Sequence, residues 1–373
     1  MNVGLLTIHD SVSPGASLQA CALYAAIKDL GYDVATIDYC PSYFPSRTNV
    51  IKPLISQGPK GVVKAAVLGR RLKAKGALFT EFAEATCPVG TRRYKNFESL
   101  KADPPMFDAV VCGSDQIWNP PHVLYDNAWF LSFYEGQRPL CVSYAASIGK
   151  DSLNSDDLAW LKNGVKNFDF IGVREDVGVS VLQKEGIHAS QCVDPTLLWP
   201  RDFWESLERR PEFDIPENYV FYFPLSGNPL EAELVKAVSS DFDAPVVSAW
   251  SALKKLPSMD IQIPVFGPRE FLWLINHAQV VVTNSFHGLV FSVIFKKKLI
   301  SYKCLTRNSR LDSLLRLLDA DSYQVSSMEE YRNANWDDRF LRLANSGHLL
   351  EKEIQASKKY LSDALKGERC VSL

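Results

Sequence analysis

The stretch from residue 3 to residue 39 constrains this chain more than any other. A strand-like run, VGLLTI (3–8), leads through a loop of Ser, Pro and Gly into a helical stretch from about Ala16 to Leu30. Leu18, Ala22, Ala25 and Ala26 recur there at close to helical spacing. Gly31 ends the helix, and YDVATIDY (32–39) supplies the next strand. Strand, helix, strand in one short run is a β-α-β unit, and such units build parallel sheets.

The pattern continues through AVVCG (109–113), LCVSYAAS (140–147), FDFIGVRE (168–175) and ASQCVD (189–194). A helix from Val177 to Glu185 lies between the last two, with Gly186 as its stop. After DPTLLWPRDFW (194–204) the alternation restarts. Strands are expected at YVFYFP (219–224), PVVSAW (245–250), VVVT (280–283) and LISYK (299–303), and helices at Pro229–Ser239, Pro268–His277 and about Leu289–Lys296. The predicted fold class is α/β, with two doubly wound, Rossmann-like domains facing a cleft. They are placed at 1–199 and 200–345, followed by a polar, amphipathic C-terminal helix in 346–373 that is expected to pack back across the cleft edge.

The 373 residues suffice for two such domains. Hydrophobic residues at 46% and charged residues at 23% are ordinary globular composition. A net charge of -2 argues against a nucleic-acid partner, since readers of polyanions carry a basic excess. The eight cysteines are scattered without a C-x-x-C pair, so neither a disulfide framework nor a zinc site is expected. The start, MNVGLLTIHD, lacks the basic opening and sustained apolar core of a signal peptide, and no apolar run is long enough to span a bilayer. The expectation is a reduced, cytoplasmic protein. One segment, 58–87, reads as a helix whose first half carries Lys60, Lys64, Arg70, Arg71, Lys73 and Lys75. It is either a solvated helix or a peripheral contact with the inner face of an anionic membrane.

In doubly wound sheets, ligands bind beyond the carboxyl ends of the strands. The unusual residues collect there. After AVVCG come Ser114, Asp115, Gln116, Trp118 and Asn119, a set suited to sugar hydroxyls and a sugar face, or else an Asx-type turn with a packed Trp. After FIGV comes Arg174, a cation at a helix start that makes sense if it serves a ligand anion, followed by Glu175 and Asp176. Asp194 before Pro195 is either a turn or an acidic site residue. Thr283-Asn284-Ser285-Phe286-His287-Gly288 interrupts apolar material between a strand and a helix. Asn284 or Ser285 caps that helix, whose amides can hold an anion, and His287 is either a core histidine or a functional one. Arg307 and Arg310 add positive charge there or pair with Asp312. No phosphate loop, G-x-G-x-x-G after the first strand, H-E-x-x-H or G-x-S-x-G is present.

The set GSDQIWNP, SYAASIG, FIGVRED, VDPTLLW and FGPREFLWLINHAQVVVTNSFHGLVFSVIF resembles the polysaccharide pyruvyl transferase family, in order, over 15–315. The resemblance implies a glycosyltransferase-B-like frame. It also implies transfer of pyruvate from phosphoenolpyruvate to two hydroxyls of a sugar or lipid-linked oligosaccharide, as in exopolysaccharide or capsule synthesis, with release of phosphate. On this reading the first domain takes the acceptor, through Gln116, Trp118 and Asn119, and the second takes the donor. Arg174 and the Ser285-Phe286-His287 turn bind or act on the donor. Some relatives carry Arg where this chain has Ser285, so part of the anion clamp must come from elsewhere: from Arg174 alone, or from Arg307 or Arg310. His287 and Asp115 are the expected acid and base, and no metal or other cofactor is needed. The alternatives are a nucleotide-sugar glycosyltransferase on the same frame and a non-catalytic glycan-binding protein.

Overall fold

The computed structural model describes residues 1–373 except 250–257, 305–307, 321–322 and 369–373. The chain divides into two compact units. One comprises Met1–Thr48, Phe79–Leu198 and Lys352–Leu373, and the other Asn49–Leu78 and Trp199–Glu351. The stretch 49–78 therefore groups with the second unit, and the chain beyond Glu351 groups with the first.

The first unit is built on β1 (Asn2–Leu6), β2 (Asp33–Tyr39), β3 (Val89–Tyr94), β4 (Ala109–Asp115), β5 (Leu140–Ala146), β6 (Phe170–Val173) and β7 (Ser190–Gln191). They form one sheet in the order β3-β2-β1-β4-β5-β6-β7, and every pairing is parallel. The second unit contains β8 (Val220–Phe223), β9 (Val246–Ala249), β10 (Ile261–Ile263), β11 (Val280–Thr283), β12 (Lys298–Tyr302) and β13 (Gln324–Val325). Their order is β10-β9-β8-β11-β12-β13, again all parallel. This is the expected pair of doubly wound sheets.

The central strands read as unbroken apolar runs because helices cover both faces of a parallel sheet. β4 and β11 are buried along their whole length. In each sheet the order reverses once, between β1 and β4 in the first and between β8 and β11 in the second. Those two reversals are where such folds hold ligands.

Three strands lie outside the expected set: β3, β10 and β13. β3 (VGTRRY) is largely exposed and carries two arginines, so it shows no apolar alternation. β10 and β13 are three and two residues long, too short to set a pattern. The helix after β11 starts at Phe286, three residues earlier than its apolar run suggests, because Ser285 caps it. The C-terminal helix is Gly347–Lys366. From its later turns Ser357 Oγ accepts the Val193 N–H at 2.9 Å, and the Tyr360 hydroxyl donates to the Ser143 carbonyl at 2.9 Å.

Candidate active site

At the reversal of the first sheet, β4 ends in a forced turn. Gly113 has φ +140, and a Cβ there would lie 2.1 Å from the Tyr144 carbonyl oxygen, so only glycine fits. Asp115 follows at φ +68 and Ala145 on β5 at φ +47, both left-handed. Non-glycine residues in that region cost on the order of 1–3 kcal/mol each and gather at working sites. The turn is tied by the Ser114 hydroxyl to the Ala145 carbonyl (3.0 Å) and by the Ser147 N–H to the Asp115 carbonyl (2.9 Å). Asp115 Oδ1 accepts the Gln116 N–H at 2.9 Å, and Asn119 Nδ2 donates to Gln116 Oε1 at 2.7 Å. Gly149 (φ +63) presses on these amides, since a Cβ there would sit 2.5 Å from Gln116 Oε1.

Two expected roles change here. Trp118 offers no face to a sugar. It is 0% exposed, its ring is packed against Phe130 and Phe168 at 5.4 and 5.6 Å, and its N–H donates to the Trp129 carbonyl at 3.2 Å. It is core. Arg174 is also buried, and carboxylates surround it. Asp194 lies at 2.6 Å, Glu175 at 3.5 Å and Asp115 at 3.8 Å. Burial opposes its charge, yet Glu175, Asp194 and Asp115 hold its pKa above the ordinary guanidinium value. Arg174 thus gathers three carboxylates, and an anionic donor would have to compete with all of them. Asp194 in turn accepts from the Thr196 N–H and hydroxyl at 3.1 and 2.6 Å. Glu175 accepts from the Ser147 hydroxyl and, at 3.2 Å, from the Ile148 N–H.

At the reversal of the second sheet stands the TNSFHG turn. Thr283 Oγ1 donates to the Phe223 carbonyl (2.6 Å) and accepts the Ser285 N–H (3.0 Å). Asn284 accepts the Leu225 N–H at 2.6 Å and donates to the Ser226 carbonyl at 2.8 Å, which stitches the end of β11 to the loop after β8. Ser285 is the cap of the helix Phe286–Ile294, its hydroxyl accepting the Gly288 N–H at 3.4 Å. A Cβ on Gly288 would meet Thr283 Oγ1 at 2.6 Å, so the helix can start this close to the strand only with glycine there. Three of the four polar side chains are therefore used in building the turn.

His287, the fourth, is 8% exposed in the first helical turn. Its ring meets the Phe286 ring edge-on at 5.2 Å, and the Arg310 guanidinium lies 5.7 Å from the Phe286 centroid. Arg310 is 5% exposed, on the helix Ser309–Leu317. A helix N-terminus, an imidazole and a guanidinium around one aromatic ring make a cationic corner. Arg307, the other expected clamp residue, lies outside the described residues.

The helix Pro59–Thr86 shows Lys60, Lys64, Arg70, Arg71 and Lys73 exposed, with Val62, Val63 and Val67 beside them. Lys75 differs from these. It covers the Phe266 ring at 4.2 Å, and burial lowers its pKa to about 8. Among the described residues no helix is long and apolar enough to cross a membrane.

Several site residues had weak signals or none in the sequence. Gly149 is one glycine among twenty, and nothing local marks its contact. The Arg174–Asp194 pair joins residues 20 apart. A further polar group, His9, Asp38 and Cys40, lies at the ends of β1 and β2.

Two parallel, doubly wound units, each with its polar residues at the sheet reversal, define a glycosyltransferase-B-like fold. Residues 14–304 match the family model for polysaccharide pyruvyl transferase, and the chain belongs to that family. No curated protein sequence matches it. Among solved structures, the fold is similar to that of a Listeria monocytogenes protein provisionally assigned as a UDP-N-acetylglucosamine 2-epimerase. That pair is 10% identical over 92% of this chain and 90% of the other, with a TM-score of 0.55. It is also similar to the UDP-GlcNAc 2-epimerase of Neisseria meningitidis bound to UDP-GlcNAc, at 10% identity over 98% and 100%, with a TM-score of 0.53. At such identities the likeness concerns the fold alone.

Proposed function

We propose that this transferase takes pyruvate from phosphoenolpyruvate and places it on two hydroxyls of one sugar in a polysaccharide or its precursor, as a cyclic ketal. The observation that carries the donor assignment is the His287–Phe286–Arg310 cluster at the amino end of a helix. The donor bears a carboxylate and a phosphate, and this corner offers a guanidinium, an imidazole and helix amides. Ser285 is spent as the cap, so Arg310 supplies the guanidinium in the turn's neighbourhood.

The chemistry follows from these groups. His287 as imidazolium gives a proton to the donor's methylene carbon, which becomes a methyl group. The adjacent carbon becomes oxocarbenium-like and is attacked by the first sugar hydroxyl. The second hydroxyl then forms its bond to the same carbon as the C–O bond to phosphate breaks. Of the two hydroxyl protons, one replaces the proton given to the methyl group and the other leaves with phosphate, which departs with the bond pair as hydrogen phosphate. Asp115 accepts a hydroxyl proton. Arg174 is a positioning residue that orients Asp115, while Gln116, held by Asn119 and pressed by Gly149, presents its amide to sugar hydroxyls.

The test is phosphate release from phosphoenolpyruvate with a panel of hexosides, with products weighed for an added pyruvyl group. Phosphate release together with that mass gain supports the reading. Stabilisation by nucleotide sugars, with no phosphate released for any hexoside, contradicts it in favour of a glycosyltransferase. Glycan binding without either would fit a non-catalytic protein.

The exposed basic helix supports a separate reading, peripheral contact with an anionic lipid surface that would bring lipid-linked acceptors close. The full chain should co-sediment with vesicles containing acidic lipid and not with neutral ones. Replacing Lys60, Lys64, Arg70 and Arg71 by Gln should remove that difference, and retention in the variant would contradict it.

A further inference from the structure

The ends of β1 and β2 bring together three side chains that play no part in the proposed transfer. His9 Nε2 lies 3.0 Å from Asp38 Oδ1, Cys40 Sγ lies 3.1 Å from the same oxygen, and Sγ and Nε2 are 3.9 Å apart. All three donor atoms fall within 4.8 Å of one another. We infer that His9, Asp38 and Cys40 form a binding site for a divalent cation of borderline softness, with zinc the best match and the fourth tetrahedral position left to water.

Four observations carry this. Zinc bonds of about 2.0–2.3 Å place tetrahedral N, O and S ligands roughly 3.3–3.6 Å apart, close to the spacing already present. The ring of His9 is aimed for it. Nδ1 faces the Thr7 carbonyl at 3.1 Å and carries its proton there, which turns Nε2 toward the carboxylate and the thiol. Such a tie from the far nitrogen to a backbone carbonyl is the usual support of a metal-bound imidazole. The outer shell continues through Asp38, whose Oδ2 accepts from Arg93 Nε at 2.8 Å, while Oδ1 faces the other two ligands and takes a longer contact of 3.4 Å from Arg93 Nη2. Finally, His9 and Asp38 are buried while Cys40 is half-buried, so an ion has a path in. A mixed N, O and S donor set disfavours magnesium and calcium, which take oxygen.

Without metal the cluster is held by protons. The Cys40 thiol donates to Asp38 Oδ1 at 3.1 Å. Metal binding therefore exchanges the thiol proton, and the proton by which Nε2 reaches Asp38 Oδ1, for metal–ligand bonds, and both pass to buffer. The scattered cysteines gave no hint of this site, because its ligands come from two strand ends.

The test uses the full chain and cobalt(II) or zinc salts. Dialysis against zinc chloride and removal of loose metal should leave about one zinc per chain. Cobalt should give the intense visible bands of a tetrahedral ion and a thiolate charge-transfer band. Cys40→Ser should abolish the charge-transfer band, while Cys304→Ser, in the other unit, should leave it intact. Arg93→Gln, beyond the ligands, should weaken binding by about 10- to 100-fold. Heats of binding measured in buffers of different ionisation enthalpy should reveal the released protons. Each variant is checked for a wild-type melting temperature without metal. Wild-type protein that takes up no cobalt, or a folded Cys40→Ser variant with an unchanged spectrum, would overturn the inference.

Discussion

The two sheet reversals share a topology and differ in charge. In the first unit, β1 and β4 part around a turn where Asp115, Glu175 and Asp194 converge on one buried guanidinium. In the second, β8 and β11 part around a helix start where His287 and Arg310 flank the Phe286 ring. In the proposed transfer the first offers acceptors for hydroxyl protons and the second offers donors for an anion. The fold chooses the place, and the side chains choose the ligand. A transfer that needs both a polyol and a trianionic donor has a use for each.

The comparison breaks first at His287. If it is the acid of the second corner, His287→Ala should lower turnover by about 10²- to 10⁴-fold with folding retained. A near wild-type rate would remove it from the chemistry. The next largest effect belongs to the first corner. Replacing Arg174 by Met leaves buried carboxylates without their shared cation, which typically costs about 3–5 kcal/mol of stability. Denaturant unfolding measures this. A folded variant of unchanged stability that had lost donor affinity would return Arg174 to the anion clamp.

A smaller effect sharpens the picture of the acidic unit. Burial raises the pKa of Asp157, but hydrogen bonds from Lys150 and Tyr125 outweigh it and hold the carboxyl below its usual range. A folded pKa below the unfolded one stabilises the protein above about pH 4, and that contribution is lost as pH falls through the folded value. Wild type should therefore exceed Asp157→Asn in melting temperature at pH 7, with the gap closing in acid. A gap that widened in acid would reverse the sign.

How much of this was readable from the sequence depends on how the residues are spread. GSDQIWNP and TNSFHG are contiguous, each at a strand end, so their positions at the carboxyl edges followed from local pattern alone. Direction was harder to read. Trp118 and Asp115 sit three residues apart in one loop, and nothing local tells which turns into the core. Arg174 looked like an anion receptor because Asp194, its nearest partner at 2.6 Å, lies on the next strand end. The pairing of His9 with Asp38 needed the parallel register of β1 with β2, which brings Leu5 opposite Thr36. Short or exposed strands carried no pattern to read.

The central claim is the division of labour between the two corners, and the affinity for phosphoenolpyruvate tests it most directly. Titration calorimetry on wild type, Asp115→Asn and Arg310→Gln compares one residue from each. Asp115→Asn should bind phosphoenolpyruvate as wild type does. Arg310→Gln should bind it about 10- to 100-fold more weakly, the loss expected for one charge-assisted contact of 1.5–3 kcal/mol. Unchanged binding in Arg310→Gln, with the loss appearing in Asp115→Asn, would place the donor at the other corner and contradict the account.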